Sequence, residues 1–176
     1  MERLIYYYIY SIPLRYIVSY MLVLILIWRS FEIYAQIRPA KRKIWKQLNI
    51  LVAIGSISVI GIATLYLRSS GNVEVVLIPF KSFQEAKLQP EHYRSMLMNV
   101  FLFFPLGLSL PFSLPKNWKG KVLCTIMFAM LLSICIEFFQ YRYALGTAEI
   151  DDVICNTFGC VVGSTAYVLV NRTKRK

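Results

Sequence analysis

The sequence predicts an all-α, polytopic transmembrane helix bundle of about five spans, folded as a single integral membrane domain over residues 1–176. Three observations predict it. The chain is 57% hydrophobic, with a mean hydropathy of +0.55. Its apolar windows reach the length of about 20 residues that a helix needs to cross a hydrocarbon core. Its basic residues collect in runs between those windows.

The expected spans cover about 12–28, 48–67, 95–114, 122–140 and 150–170, joined on one side by a long loop, 68–94. The first carries Arg15 near one end and a crowd of tyrosines, Tyr6, Tyr7, Tyr8, Tyr10, Tyr16 and Tyr20. Tyrosine favours the headgroup level, so these read as an aromatic belt. No small-residue cleavage site follows and a basic run does, so the segment reads as a retained helix and not a signal peptide. The third span contains Pro105 and Pro111, each of which removes one helical hydrogen bond. In the 68–94 loop, Ser69-Ser70-Gly71-Asn72 is turn chemistry. Val73–Ile78 reads as an extended piece, either docked on the surface or re-entrant.

Orientation follows from the charges. Arg29, Arg38, Lys41, Arg42, Lys43 and Lys46 separate spans one and two; Lys116, Lys119 and Lys121 separate three and four; Arg172, Lys174, Arg175 and Lys176 follow the fifth. The alternate side holds Arg3, Arg15, Arg68, Lys81, Lys87, Arg94 and Arg142, several with acidic neighbours. The positive-inside rule then puts the N-terminus outside and the C-terminus inside.

The net charge of +11 does not point to nucleic acid, because the cations sit in loop runs and not in a stripe interleaved with aromatics. Cys124, Cys135, Cys155 and Cys160 lie within expected spans without CxxC spacing, which argues for packing and against a zinc site or disulfide framework. The single histidine, His92, falls in the 68–94 loop. No HExxH or P-loop motif occurs.

Polar residues inside apolar spans are costly unless paired or facing a wet cavity. They gather here at one membrane face. Asn99 opens the third span, Glu137 and Gln140 close the fourth, Arg142 follows, and Asp151, Asp152 and Asn156 open the fifth. Asp152, Asn156, Gly159 and Gly163 form one helical stripe, and Ser133, Glu137 and Gln140 another. Gly159 and Gly163 make a GxxxG step that admits close helix packing. Plainer readings exist for each residue: the Asp pair suits a helix N-terminus, and Asn156 suits interhelical bonding. The coincidence on one face favours a ligand-binding site made of Asn99, Glu137, Gln140, Asp151, Asp152 and Asn156.

Three chemistries fit those groups. Glu137 and Asp152 could share a proton as an acid–base pair, the two candidate catalytic residues of a membrane enzyme. A divalent cation could bridge the carboxylates, although no cofactor is required. A lipid or peptide headgroup could hydrogen-bond the same atoms. A fourth possibility is a purely structural module, in which the glycine seam outweighs the acids.

The chain resembles the VanZ-like membrane proteins over roughly residues 72–163. The matching pieces are Ile78-Pro79-Phe80, Asn99-Val-Phe-Leu-Phe-Phe-Pro105-Leu-Gly107, Glu137-Phe-Phe-Gln140 and Asp151-Asp152-Val-Ile-Cys-Asn156-Thr-Phe-Gly159, in that order. The resemblance implies a multi-pass bacterial plasma-membrane protein linked to resistance against teicoplanin and related glycopeptide or lipoglycopeptide antibiotics. It does not imply an enzyme. The expected partners are a membrane lipid, a lipid-linked cell-wall precursor or the antibiotic itself, with oligomeric state open. One departure stands out: relatives carry an arginine shortly after a glycine before the acidic pair, whereas Gly146 precedes Thr147 here and Arg142 comes earlier. If that arginine binds an anionic ligand in relatives, either the ligand here differs or Arg142 substitutes, and on that ground Arg142 joins the candidate ligand-binding residues.

Overall fold

A computed structural model describes residues 14–68, 74–86, 90–115 and 118–171. Tyr6, Tyr7, Tyr8 and Tyr10, the turn at 69–72, Lys87, Lys116 and the basic run from Arg172 lie outside the described residues. The elements are α1 (Leu14–Ile37), a 3-10 turn (Pro39–Lys41), α2 (Arg42–Gly61) continued by a π-helical segment (Ile62–Tyr66), β1 (Val75–Val76), the short α3 (Lys81–Glu85), α4 (Pro90–Ser113), α5 (Lys121–Arg142), β2 (Ala148–Glu149) and α6 (Ile150–Asn171). Five helices are long and apolar enough to cross a membrane: α1, α2 with its π extension, α4, α5 and α6. The protein is therefore an all-α bundle of membrane-spanning type.

Its surface suits lipid. Leu26, Leu51 and Leu123 are 64%, 64% and 66% exposed, while Asn49, Ser109 and Ser133 are wholly buried. In water each exposed leucine would forgo about 1.5–3 kcal/mol of burial. In hydrocarbon that loss disappears, and polar groups are driven inward instead.

α1 runs well past the expected end at residue 28, to Ile37. The reason is that its charged residues find partners inside the bundle. Arg29 donates to the Leu169 and Val170 carbonyls at the C-terminal end of α6, where a cation also suits the helix dipole. The Glu32 carboxylate accepts from the Trp45 indole at 2.8 Å and from Gln36 at 3.1 Å. Residues that read as loop charges thus continue the helix.

The centre of the bundle is the crossing of α4 and α6. A Cβ placed on Gly159 would land on the Val100 carbonyl, one on Gly163 on the Phe104 carbonyl, and one on Gly107 on the Cys160 carbonyl. The glycine step therefore seats α6 against α4, with Gly107 completing the seam from the opposite helix. Both prolines lie within a continuous α4. Pro111 cannot donate to the carbonyl of Gly107, four residues earlier. The Ser164 hydroxyl of α6 fills that role, at 3.2 Å. Phe103, Phe104, Leu106 and Leu108 fill the rest of the interior around this seam.

At the end of the bundle where α6 begins, Val75–Val76 pairs in parallel with Ala148–Glu149. The segment 74–86 is thereby fastened across the α5–α6 connection as a strap.

Candidate ligand-binding site

The strap is held by Asp151, which is not part of the Asp152, Asn156, Gly159 and Gly163 stripe. Asp151, 1% exposed, accepts the backbone N–H of Phe80 at 2.6 Å and of Ser82 at 2.8 Å. Phe80 adopts a left-handed conformation, φ 64°. That turn directs the amides of Phe80 and Ser82 at one carboxylate, while the Lys81 N–H between them bonds the Ile78 carbonyl, and non-glycine residues rarely take it without such compensation. The Ser82 hydroxyl adds a bond to Glu149 at 2.8 Å.

Asp152 lies one position on, facing the bundle interior. It accepts from the Asn99 amide of α4 at 2.7 Å. Arg68, just after the π-helical segment, forms an ion pair with its other oxygen at 3.5 Å. Glu137 of α5 accepts the backbone N–H of Glu149 at 2.9 Å, and it lies within electrostatic reach of Asp152, Arg68 and Glu149. One turn deeper, the Asn156 amide donates to the Ser133 hydroxyl at 2.8 Å. The Gln140 amide donates to the Thr64 carbonyl at 2.9 Å. Thr64 sits in the π-helical segment, where the displaced backbone turns a carbonyl toward a neighbouring helix.

The structure thus brings Asn99, Glu137, Gln140, Asp151, Asp152 and Asn156 to one end of the bundle, on α4, α5 and α6. Asp151 differs in role: its two oxygens are taken by the strap. Arg142 does not join the group. It is exposed, and its guanidinium stands over the Tyr143 ring at 5.9 Å. The cation paired with Asp152 is Arg68, read in the sequence only as a loop charge. Gly146 makes room for it: φ there is +120°, and an added Cβ would approach Arg68 Nη1 to 3.3 Å. The available signal was a cation on the side otherwise poor in them, next to an apolar span. Glu149 and Ser82 gave no pattern at all.

Three buried side-chain atoms among the described residues lack any hydrogen-bond partner: Gln140 Oε1, Asn156 Oδ1 and Thr157 Oγ1. Buried polar atoms are nearly always paired, and two of these three, on Gln140 and Asn156, belong to the polar group described above. Among the described residues, no group of three or more His, Cys, Asp or Glu side chains could hold a metal ion.

The comparisons with known proteins follow the same residues. A family model described as VanZ/LLP1 matches residues 16–171. Protein VanZ of Enterococcus faecium is 37% identical over 82 residues, covering 46% of this chain and 48% of the relative. The chain thus spans about half the length of that curated relative. No solved structure matches. With the family match running from α1 to the end of α6, the chain belongs to the VanZ/LLP1 family.

Proposed function

We propose that this protein binds the polar head of an amphiphile at the acid end of the bundle, and so modulates resistance to teicoplanin-type glycopeptide or lipoglycopeptide antibiotics. The ligand is an envelope lipid, a lipid-linked cell-wall precursor or the lipid-bearing part of the antibiotic. The protein lies in a bacterial plasma membrane with the N-terminus outside, the C-terminus inside and the acid end facing the exterior. The loop charges and the resemblance to protein VanZ support this placement.

One observation carries the reading. Glu137, Gln140, Asp152 and Asn156 are buried in apolar helices and come together at one end, where Gln140 Oε1 and Asn156 Oδ1 are left unfilled. A purely structural network would pair them, since an unpaired buried polar group costs about 1–3 kcal/mol. The binding role also agrees with how the acids are held. Each keeps its place through donors from other elements, Glu149 for Glu137 and Asn99 with Arg68 for Asp152.

The test is a resistance measurement in cells expressing Glu137→Gln, Asp152→Asn or Asn156→Ala at wild-type abundance. The expected outcome is loss of teicoplanin resistance in each. Wild-type resistance in all three would remove the proposal.

A further inference from the structure

We propose that the acid end of the bundle recognises a primary ammonium group carried by an amphiphile, and that Arg68 occupies the ammonium's place until the ligand displaces it. This rests on that end being a binding site and adds the chemistry of what it selects. Two independent observations carry it.

The first is charge. Glu137, Glu149, Asp151 and Asp152 gather where the strap, α5 and α6 meet. Arg68 is the one cation ion-paired with any of them among the described residues, and Lys81 of the strap pairs instead with Glu85. Carboxyl groups therefore outnumber cations. A phosphate or carboxylate arriving there would meet more repulsion than attraction.

The second is the balance of donors and acceptors in the buried amides. The Thr64 carbonyl can only accept, so the Gln140 atom facing it is the nitrogen, and Oε1 is the free end. Gln140 and Asn156 are 1% and 2% exposed, yet Gln140 Oε1 and Asn156 Oδ1 accept nothing. Gln140 follows Glu137 by three positions and Asn156 follows Asp152 by four, so each shares a helix face with an acid. Glu137 uses one oxygen for the Glu149 N–H, and no donor among the described residues reaches the other. Gln140 lies two turns, about 10 Å, from Ser133, the partner of Asn156, so the two open oxygens lie at the outer and inner edges of the acid group, and this end of the bundle is short of donors and not of acceptors. An ammonium supplies three N–H donors and a positive charge, whereas a phosphate head supplies further acceptors.

Arg68 has the properties of a displaceable stand-in. Its side chain is 25% exposed and its contact with Asp152 is 3.5 Å, well beyond the roughly 2.8 Å of a tight charge-assisted bond. Its remaining donors make no other hydrogen bond among the described residues. A loosely held guanidinium on a carboxylate marks where a competing cation would sit.

The experiment uses the full chain in detergent, with native mass spectrometry counting retained lipid. Short-chain phosphatidylethanolamine, phosphatidylcholine and phosphatidylglycerol are compared, with soluble glycerophosphoethanolamine and Mg2+ as competitors. The expected result is retention of phosphatidylethanolamine over both others. Phosphatidylcholine is a strict control because its quaternary head has no N–H. Arg68→Ala should tighten phosphatidylethanolamine binding about two- to fivefold, the worth of a partly exposed ion pair. Asp152→Asn should abolish the preference, and it decides the matter alone if Arg68→Ala does not accumulate.

Preference for phosphatidylglycerol, or weaker phosphatidylethanolamine binding in Arg68→Ala, would make Arg68 an anion hook and overturn the inference while leaving the binding site standing. Displacement by Mg2+ alone would assign the open acceptors to a metal and overturn it too. Equal competition by the soluble head would remove the amphiphile from the inference. Failure of the wild type to retain any lipid would remove the binding site itself.

Discussion

The two ends of this bundle bury polar groups in different ways. At the end where α2 begins, Trp28 donates to Asn49, Asn49 to the Trp45 carbonyl, Trp45 to Glu32, and Gln36 to Glu32. Aromatic rings close around this chain of bonds: Phe31 stacks on Trp45 at 5.5 Å, and Trp28 and Phe112 meet it edge-on at 5.9 Å. These four bonds join α1 to α2 or lie within one of them, and Arg29 adds bonds from α1 to the last α6 carbonyls at the same end. At the acid end the bonds span α4, α5, α6 and two loops, and donors run out before acceptors do. The first arrangement locks two consecutive helices together. The second leaves the Gln140 and Asn156 side-chain oxygens without a partner. A buried carboxylate in a membrane protein is thus no sign of a binding site by itself; what separates Asp152 from Glu32 is the incompleteness of its surroundings.

Substitutions can break or sharpen this contrast. The largest effect belongs to neither end but to the seam that fixes both. Gly159→Ile would drive a branched side chain into the Val100 carbonyl, backbone that cannot move aside. Overpacking costs about 1–3 kcal/mol or more, so the variant should fail to yield monodisperse protein in size-exclusion chromatography. Gly55→Ile, where an added Cβ meets nothing within 4 Å, should behave as wild type. Next comes Asp151→Ala, which strands the Phe80 and Ser82 amides. A bond to a charged group is worth about 1.5–3 kcal/mol. Hydrogen exchange across 74–86 should therefore rise by about tenfold or more, with the helices unaffected.

A smaller effect is expected at the tryptophan end. Trp45→Phe keeps the ring packing and removes the indole donor to Glu32. Thermal stability should fall by about 1 kcal/mol or slightly more, and ligand binding at the far end should not change. If binding fell with stability, the two ends would not be independent. The smallest effect is Arg142→Ala, expected to leave both stability and resistance at wild-type levels. A loss of resistance there, with Arg68→Ala silent, would exchange the roles assigned to the two arginines.

Much of the fold was legible in the sequence because lipid imposes a simple rule. Uninterrupted apolar windows had to be helices, and five of them are. The shared end of Asn99, Glu137, Asp152 and Asn156 was legible because antiparallel helices and a short α5–α6 loop leave little choice. The partner of the GxxxG step was not. Gly159 and Gly163 define a groove but not its occupant, and Gly107 lies alone between two prolines. Arg29 and Glu32 read as loop charges because their partners, the α6 carbonyls and Trp45, are brought by tertiary packing. The same applies to Arg68 and Asp151. Charge in a sequence gives sign and position, and the strap that makes Asp151 a clamp depends on a left-handed Phe80 that no residue type announces.

Binding of teicoplanin and of a tail-less glycopeptide to the purified protein in lipid nanodiscs, beside Asp152→Asn and Trp45→Phe, tests most directly whether the incomplete end is the functional one. The account expects saturable binding that needs the lipid-bearing ligand or lipid itself, is lost in Asp152→Asn and survives in Trp45→Phe. Equal binding by the wild type and Asp152→Asn, with loss in Trp45→Phe, would contradict it.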